Sequence, residues 1–143
     1  MNNSGNKSKF NNESYVERVE KPWGHELHWV PENKPYMGKV LHIKAGARLS
    51  LQIHDQKQES WFLMNGRAKI IWDDKNGNMI ETEMESGKGY TCALGQKHRL
   101  DGITDCDIIE VSTQEQGTTL RLEDDYSRPD ETPEQRKKER GEL

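Results

Sequence analysis

The chain has 143 residues, a formal net charge of −4 and a pI near 5.8, with 32% charged and 31% apolar residues. That length fits one domain, and the acidic balance argues against nucleic-acid binding, which needs a basic face. No apolar run approaches the ~18 residues of a membrane span, and the N-terminal MNNSGNKSKFNNESY lacks the apolar stretch of a signal peptide.

Residues 1–14, rich in Asn, Ser, Lys and Gly, read as a disordered or loosely draped segment. From there to residue 128 the pattern is β. Leu41 to Lys44 alternates. So does Leu49 to His54, with Leu49, Leu51 and Ile53 on one face and Ser50, Gln52 and His54 on the other. Trp61 to Met64 ends at Asn65-Gly66, a strong hairpin signal, and Ala68 to Trp72 is the return strand. Asp73 to Asn78 is a polar turn into Met79-Ile80. Tyr90 to Ala93, His98 to Leu100 and Ile108 to Val111 supply three more short strands. Short strands with closely spaced turns point to a sandwich or barrel. The last segment, 129–143, is a charged tail. Thr132, Pro133 and Gln135 resemble a capping box with proline at the first helical position, but the composition favours a frayed end over a helix. Cys92 and Cys106 are too few for a disulfide framework. They read as small buried hydrophobes in a reduced, cytoplasmic setting.

One group of residues carries chemistry. Gln52 and His54 stand two apart on a strand and point the same way. Glu59 follows a short polar turn and begins the next strand, where an antiparallel neighbour would set its carboxylate beside His54. His98 lies at a later turn-to-strand junction. Two imidazoles, a carboxylate and an amide oxygen suit one divalent ion of the Zn, Mn, Fe, Co or Ni type, with positions left for water or substrate.

These residues also sit in a recognisable order. Gly46, Gln52, His54, Glu59 and Gly66 follow the first cupin motif, with Gln52 where most cupins have His. Gly87, Ala93, Leu94, Gly95 and His98 follow the second, with Ala93 in place of the usual Pro. The resemblance implies an all-β fold, the cupin double-stranded β-helix, a jelly-roll-like barrel with the metal inside its mouth. A narrower resemblance runs through Lys21-Pro22-Trp23-Gly24, Arg48 to His54, Glu59-Ser60-Trp61, Lys97 to Leu100 and Arg121 to Arg128. This order is similar to the C-terminal cupin domain of type II phosphomannose isomerases, which are usually bifunctional proteins with a separate domain that makes GDP-mannose. Pyrophosphorylase activity is not expected without that domain.

The resemblance implies a metal-dependent interconversion of mannose 6-phosphate and fructose 6-phosphate, or action on a related sugar phosphate. Lys57, Glu59 and Arg121 are then the catalytic candidates, and Arg48, Lys97, Arg99 and Arg128 the candidates for holding substrate. It also implies a homodimer built through edge strands or exchanged N-terminal segments. Four departures stand out. The family has Arg at Lys57, His at Ser60, a second His at Gln56 and Gly at Ser127. Lysine keeps the charge but loses the planar two-pronged grip of arginine, and serine cannot transfer protons as imidazole does. Two alternatives therefore stand beside the isomerase: a non-catalytic module binding a sugar or nucleotide sugar, and another metal-dependent cupin enzyme such as an epimerase, lyase or dioxygenase. Trp23, Trp61 and Tyr126 read as packing residues, and His25, His28 and His42 as non-functional. Asp124 and Asp125 read as ion-pair partners for an arginine of the tail.

Overall fold

The computed structural model describes residues 9–142, so the first part of the segment expected to be disordered lies outside the described residues. Eleven strands and one helix follow in order among them: β1 (Glu17–Lys21), β2 (Gly24–His28), β3 (Tyr36–Ile43), β4 (Leu51–His54), β5 (Glu59–Asn65), β6 (Ala68–Asp73), β7 (Met79–Glu83), β8 (Gly89–Cys92), β9 (His98–Gly102), β10 (Cys106–Thr113), β11 (Thr119–Glu123) and α1 (Pro133–Glu139). They form two antiparallel sheets, ordered β1-β2-β3-β10-β5-β8 and β11-β4-β9-β6-β7. From β3 onward each strand passes to the other sheet except at the β6–β7 hairpin, which is the jelly-roll-like arrangement that the motifs implied.

Strands β1, β2 and β11 were not foreseen. Their residues, such as Glu17–Lys21 and Gly24–His28, are mostly charged or polar. They form because partners impose the conformation: β2 pairs with β3 from Gly24↔Ile43 to His28↔Lys39, and packing against neighbours, more than intrinsic propensity, decides strand formation. Two glycines are required by these joins. A Cβ on Gly66 at the β5–β6 turn, where φ is 77°, would come within 2.2 Å of the Asp105 carbonyl oxygen. A Cβ on Gly24 would meet the His42 carbonyl oxygen at 1.9 Å.

An apolar core lies between the sheets. Trp23, Leu41, Ile43, Trp61, Leu63, Ile70, Leu100, Cys106 and Ile108 are all buried there, with Tyr126 packed against them. Trp23, Trp61 and Tyr126 thus pack as expected, and both cysteines are free and buried. The interior also holds charge. Glu26, His28, Lys39, His54, Lys57, Glu59, His98 and Glu110 are each at most 9% exposed. The low apolar content of the chain therefore reflects a partly ionic interior as well as a polar surface.

The tail is a folded element. Thr132 caps α1 by accepting the Gln135 amide N–H, Pro133 occupies the first turn, and a backbone bridge joins Glu131 to Thr119 on β11. A seven-residue helix is marginal alone; side-chain ion pairs to the barrel hold it, which composition could not reveal.

Candidate metal centre and the cavities beside it

His54 ends β4, Glu59 begins β5 and His98 begins β9. Strands β4 and β5 lie in different sheets, so Glu59 reaches His54 across the barrel and not as an antiparallel neighbour. The polar face of β4 points inward. Ser50 and His54 are buried, whereas Leu51 and Ile53 on the outer face are only half-buried. Ligand-type atoms of His54, Glu59 and His98 all lie within 4.8 Å of one another. Gln52 is in register with His98, lines the same cavity as His54, and its Oε1 accepts the Ser50 hydroxyl at 3.2 Å.

The hydrogen bonds fit these residues to a cation. His98 Nδ1 lies 2.8 Å from the Gln96 carbonyl, which only accepts, so Nδ1 carries the hydrogen. Its Nε2 lies 2.9 Å from Glu59 Oε1 but in no hydrogen-bonding geometry, and it is buried without a hydrogen-bond partner. His54 Nδ1 contacts the Thr119 hydroxyl at 2.8 Å, and its Nε2 lies 3.2 Å from the same Glu59 oxygen. Two imidazoles held from behind by an oxygen and aimed at one carboxylate form the arrangement of a metal site with its outer support. Burial disfavours an imidazolium at His98, yet the contacts with Cys92 and the Glu59 carboxylate outweigh it and push the pKa up to about 10. A divalent ion would take the place of that proton.

Lys57 enters the same site. Its Nζ lies 3.0 Å from Glu59 Oε2 and 2.9 Å from Glu110 Oε2, fully buried. Burial opposes its charge, but Glu110 and Glu59 hold its pKa well above the usual lysine value. Lys57 is a fixed cation there. Burial likewise opposes the charge on Glu59, and Lys57 with the two histidines keeps it ionised.

The other candidates separate. Arg121 lines the cavity with His54 and Lys57 but is sealed by the tail: Nη1 donates to Glu139 at 2.7 Å, Nη2 to Glu131 at 2.8 Å. Arg128 also lines it, and donates to Asp124 from both Nε and Nη2. Arg48 pairs with Asp125 in a half-exposed position, so Asp124 finds an arginine of the tail and Asp125 one on the barrel. Arg99 is buried with Nε on the Leu49 carbonyl and Nη2 on the Glu123 carbonyl, a structural clamp. Lys97 is exposed. Arg48, Lys97 and Arg99 do not line the cavity that holds His54, so the structure does not bring the five cations together. Ser60 faces out of the barrel, with its hydroxyl 2.8 Å from that of Thr91. Its departure from imidazole therefore falls away from the interior.

Several interior groups had gone unrecognised. Glu26, Lys39, Glu110 and Glu115 form a buried network, with Lys39 Nζ 3.4 Å from Glu26, 4.0 Å from Glu110 and in contact with Glu115. His28 belongs to it through Glu26, at 2.8 Å. The signal was present in the parity of the strands: Lys39 shares a face with Met37, Leu41 and Ile43, and Glu110 with Ile108. Charged residues in inward register mark an interior that is not purely apolar.

The sequence matches the family described as mannose-6-phosphate isomerase C-terminal over residues 7–131. Alginate biosynthesis protein AlgA of Pseudomonas aeruginosa is 35% identical over 118 residues, covering 77% of this chain and 23% of the relative. Mannose-1-phosphate guanylyltransferase 2 of Escherichia coli O157:H7 is 32% identical over 97 residues, covering 66% and 19%. The chain thus spans about a fifth to a quarter of the length of these relatives. Among solved structures, oxalate decarboxylase from Bacillus subtilis superposes with a TM-score of 0.66 at 15% identity, over 80% of this chain and 33% of that one. Oxalate decarboxylase from Lactobacillus farciminis in a formate complex gives 0.65 at 17%, over 80% and 37%. The structural likeness shows the fold, a cupin barrel.

Proposed function

Because the chain belongs to the mannose-6-phosphate isomerase C-terminal family, we propose that it is a metal-dependent sugar-phosphate isomerase acting on mannose 6-phosphate or a close relative. The observation that carries this reading is the convergence of His54 Nε2 and His98 Nε2 on one buried carboxylate oxygen, Glu59 Oε1, at 3.2 and 2.9 Å. His54, Glu59 and His98 would hold the ion, with Gln52 beside them. A bound divalent ion supplies a Lewis acid for the carbonyl oxygen of an aldose or ketose.

The remaining work falls to the chain. Aldose–ketose exchange moves a proton between C1 and C2 through an enediol, so charge develops on a carbonyl oxygen. Lys57, held protonated by Glu110 and Glu59, is placed to stabilise that oxyanion, and it needs no forked geometry for that purpose. This explains how lysine can stand where the family carries arginine. Glu110, whose Oε2 has no hydrogen-bond partner although Lys57 lies beside it, is a candidate for carrying the proton. Of the arginine candidates, Arg121 and Arg128 line the cavity with His54, and a phosphate reaching Arg121 must displace Glu131 and Glu139.

A second reading keeps the metal and drops the turnover. The same saturation of Arg121 and Arg128 by carboxylates favours a barrel that binds a sugar without converting it. A coupled isomerase assay on mannose 6-phosphate, with Mn, Co, Zn, Fe(II) and Ni supplied separately, decides between them. Turnover that a chelator abolishes is expected. No turnover with any ion, in protein with a bound stoichiometric metal, would rule out the isomerase. In either reading a homodimer is expected in solution, measurable by light scattering.

A further inference from the structure

The two sheets turn different outer faces to their surroundings. On the five-stranded sheet that face is charged: Lys69 stands in register between Glu83 and Asp101 and forms an ion pair with Glu81. On the six-stranded sheet two neighbouring transverse rows carry no charge. One runs Leu27–Val40–Ile109–Phe62–Gly89 and the other Gly38–Val111–Ser60–Thr91, each in register from strand to strand. Their neighbours along the strands, Leu41, Ile108, Trp61 and Leu63, are buried in the core, so alternation sends both rows outward. The Trp29 ring covers Gly38, where a Cβ would come within 2.4 Å of it. In a chain with 32% charged residues, this face leaves Phe62 41% exposed, Trp29 44%, Val111 50% and Tyr36 54%.

Size and shape select the occupant. Strands ~4.8 Å apart and outward residues ~7 Å apart give the two rows, with Tyr36 and Met64 beside them, a footprint on the order of 400 Å². Apolar patches of that size mark interaction sites. A standard interface takes about 800 Å² from each partner, an apolar centre with a polar rim around it. One step along β5 from Phe62 lies a hollow of about 300 Å³, lined by Tyr36, Ser60, Thr91, Val111 and Thr113. Knob and hollow are thus ~7 Å apart on the same face. A twofold axis between them puts each Phe62 into the hollow of the other chain, a self-complementary contact that closes with two copies. Two sheet faces packed in this way are the ordinary geometry of a sandwich.

The sheet edges offer less. Strand β1 presents Glu17, Arg18, Glu20 and Lys21, and β7 presents Glu81 and Glu83. Strand β8 has four residues, and β11 is already bridged by Glu131. Charge, shortness and cover are the devices that keep an edge from pairing with another chain. We propose that a second copy of this chain docks on the outer face of the six-stranded sheet, centred on Phe62 and Val111, sheet against sheet about a twofold axis. The contact braces from outside β5 and β10, the strands that carry Glu59 and Glu110 on their inner side. The inference deepens the homodimer reading above, rests on it for the number of copies, and moves the contact from the edges to a face. It does not depend on turnover.

Sedimentation velocity on the full chain, from about 1 to 100 μM, reads the association. A dimer is expected. Phe62→Asp and Val111→Asp each set an unpaired charge in the contact and should raise the dimer Kd at least ~10-fold. Leu120→Asp, at an apolar position of β11 on the other sheet with the same 41% exposure as Phe62, should leave the Kd unchanged. Thermal melting and near-UV circular dichroism report whether each variant is folded, and Val111→Asp decides should Phe62→Asp fail to fold. A parent chain that stays monomeric at the top of the range would overturn the docking and the homodimer together. A dimer of parent strength in the folded Asp variants would overturn the face alone and return the contact to the edges or the N-terminal segments. Equal weakening by Leu120→Asp would also overturn it, since the effect would then come from charge and not from place.

Discussion

Lys57 shows how much a single buried charge can decide. It has two carboxylates within 3.0 Å and almost no water. Desolvating an ammonium is costly, and here Glu59 and Glu110 offset that cost by holding the charge between them. Removing the cation leaves two carboxylates facing each other in a dry interior. Lys57→Ala should therefore lose about 3–5 kcal/mol, the range found when one partner of a buried pair is deleted, measured by urea denaturation. Lys57→Arg should recover much of that loss if the extra bulk is accommodated. A loss below about 1 kcal/mol would be typical of an exposed pair and would show that the site is hydrated.

The C-terminal segment acts as one element. Its helix exposes no apolar face to the barrel, since α1 has no buried residue. Its ion pairs do the holding: Glu139 and Glu131 to Arg121, and Arg136 and Arg140 to Glu115. Glu139 reports on this attachment. Burial opposes its ionised form, but Arg121 and Gln135 overcome that and lower its pKa from 4.5 to about 2. A depressed carboxylate contributes stability that is complete above the unfolded value and lost as pH falls through the folded one. The tail should accordingly detach between about pH 4.5 and 2, seen as movement of the α1 amide signals in NMR spectra. Glu139→Gln should detach it at neutral pH and tighten mannose 6-phosphate binding, because Arg121 is released. If the variant binds the sugar phosphate no better, Arg121 is a structural residue only.

At the scale of the whole barrel, the ligand-type residues staple the two sheets. His54 and His98 belong to one sheet and Glu59 to the other. Any ion they hold binds the folded chain and not the unfolded one, so it stabilises by mass action, about 2.7 kcal/mol at a hundred times Kd. Added Mn or Zn should raise the melting temperature by several degrees, and His98→Ala should abolish the rise while remaining folded. A rise that persists in His98→Ala would place the ion elsewhere.

Local pattern sufficed for a good part of this. The alternation of Leu49 to His54, the Asn65-Gly66 turn and the spacing of Gln52, His54, Glu59 and His98 are short-range signals, and they led to the barrel and to three clustered side chains. Sequence separation hid the rest. Strands β1, β2 and β11 have polar sequences that only pairing makes extended, β2 with β3, β1 with β2 and β11 with β4. Arg48, Arg99 and Lys97 look like phosphate ligands in the chain, yet their directions are set by strands and turns that carry them away from the cavity. Ser60 looks like a lost proton donor but faces outward, because side chains alternate and Glu59 already points in. Whether a charge lies in water or in a closed ionic interior is a property of what packs over it; for Lys39 and Lys57 that cover includes Glu110 and Glu115, dozens of positions away, and for Arg121 it is the folded-back tail. The chain by itself determined the motifs and the barrel; the tertiary structure decided which charges share one space.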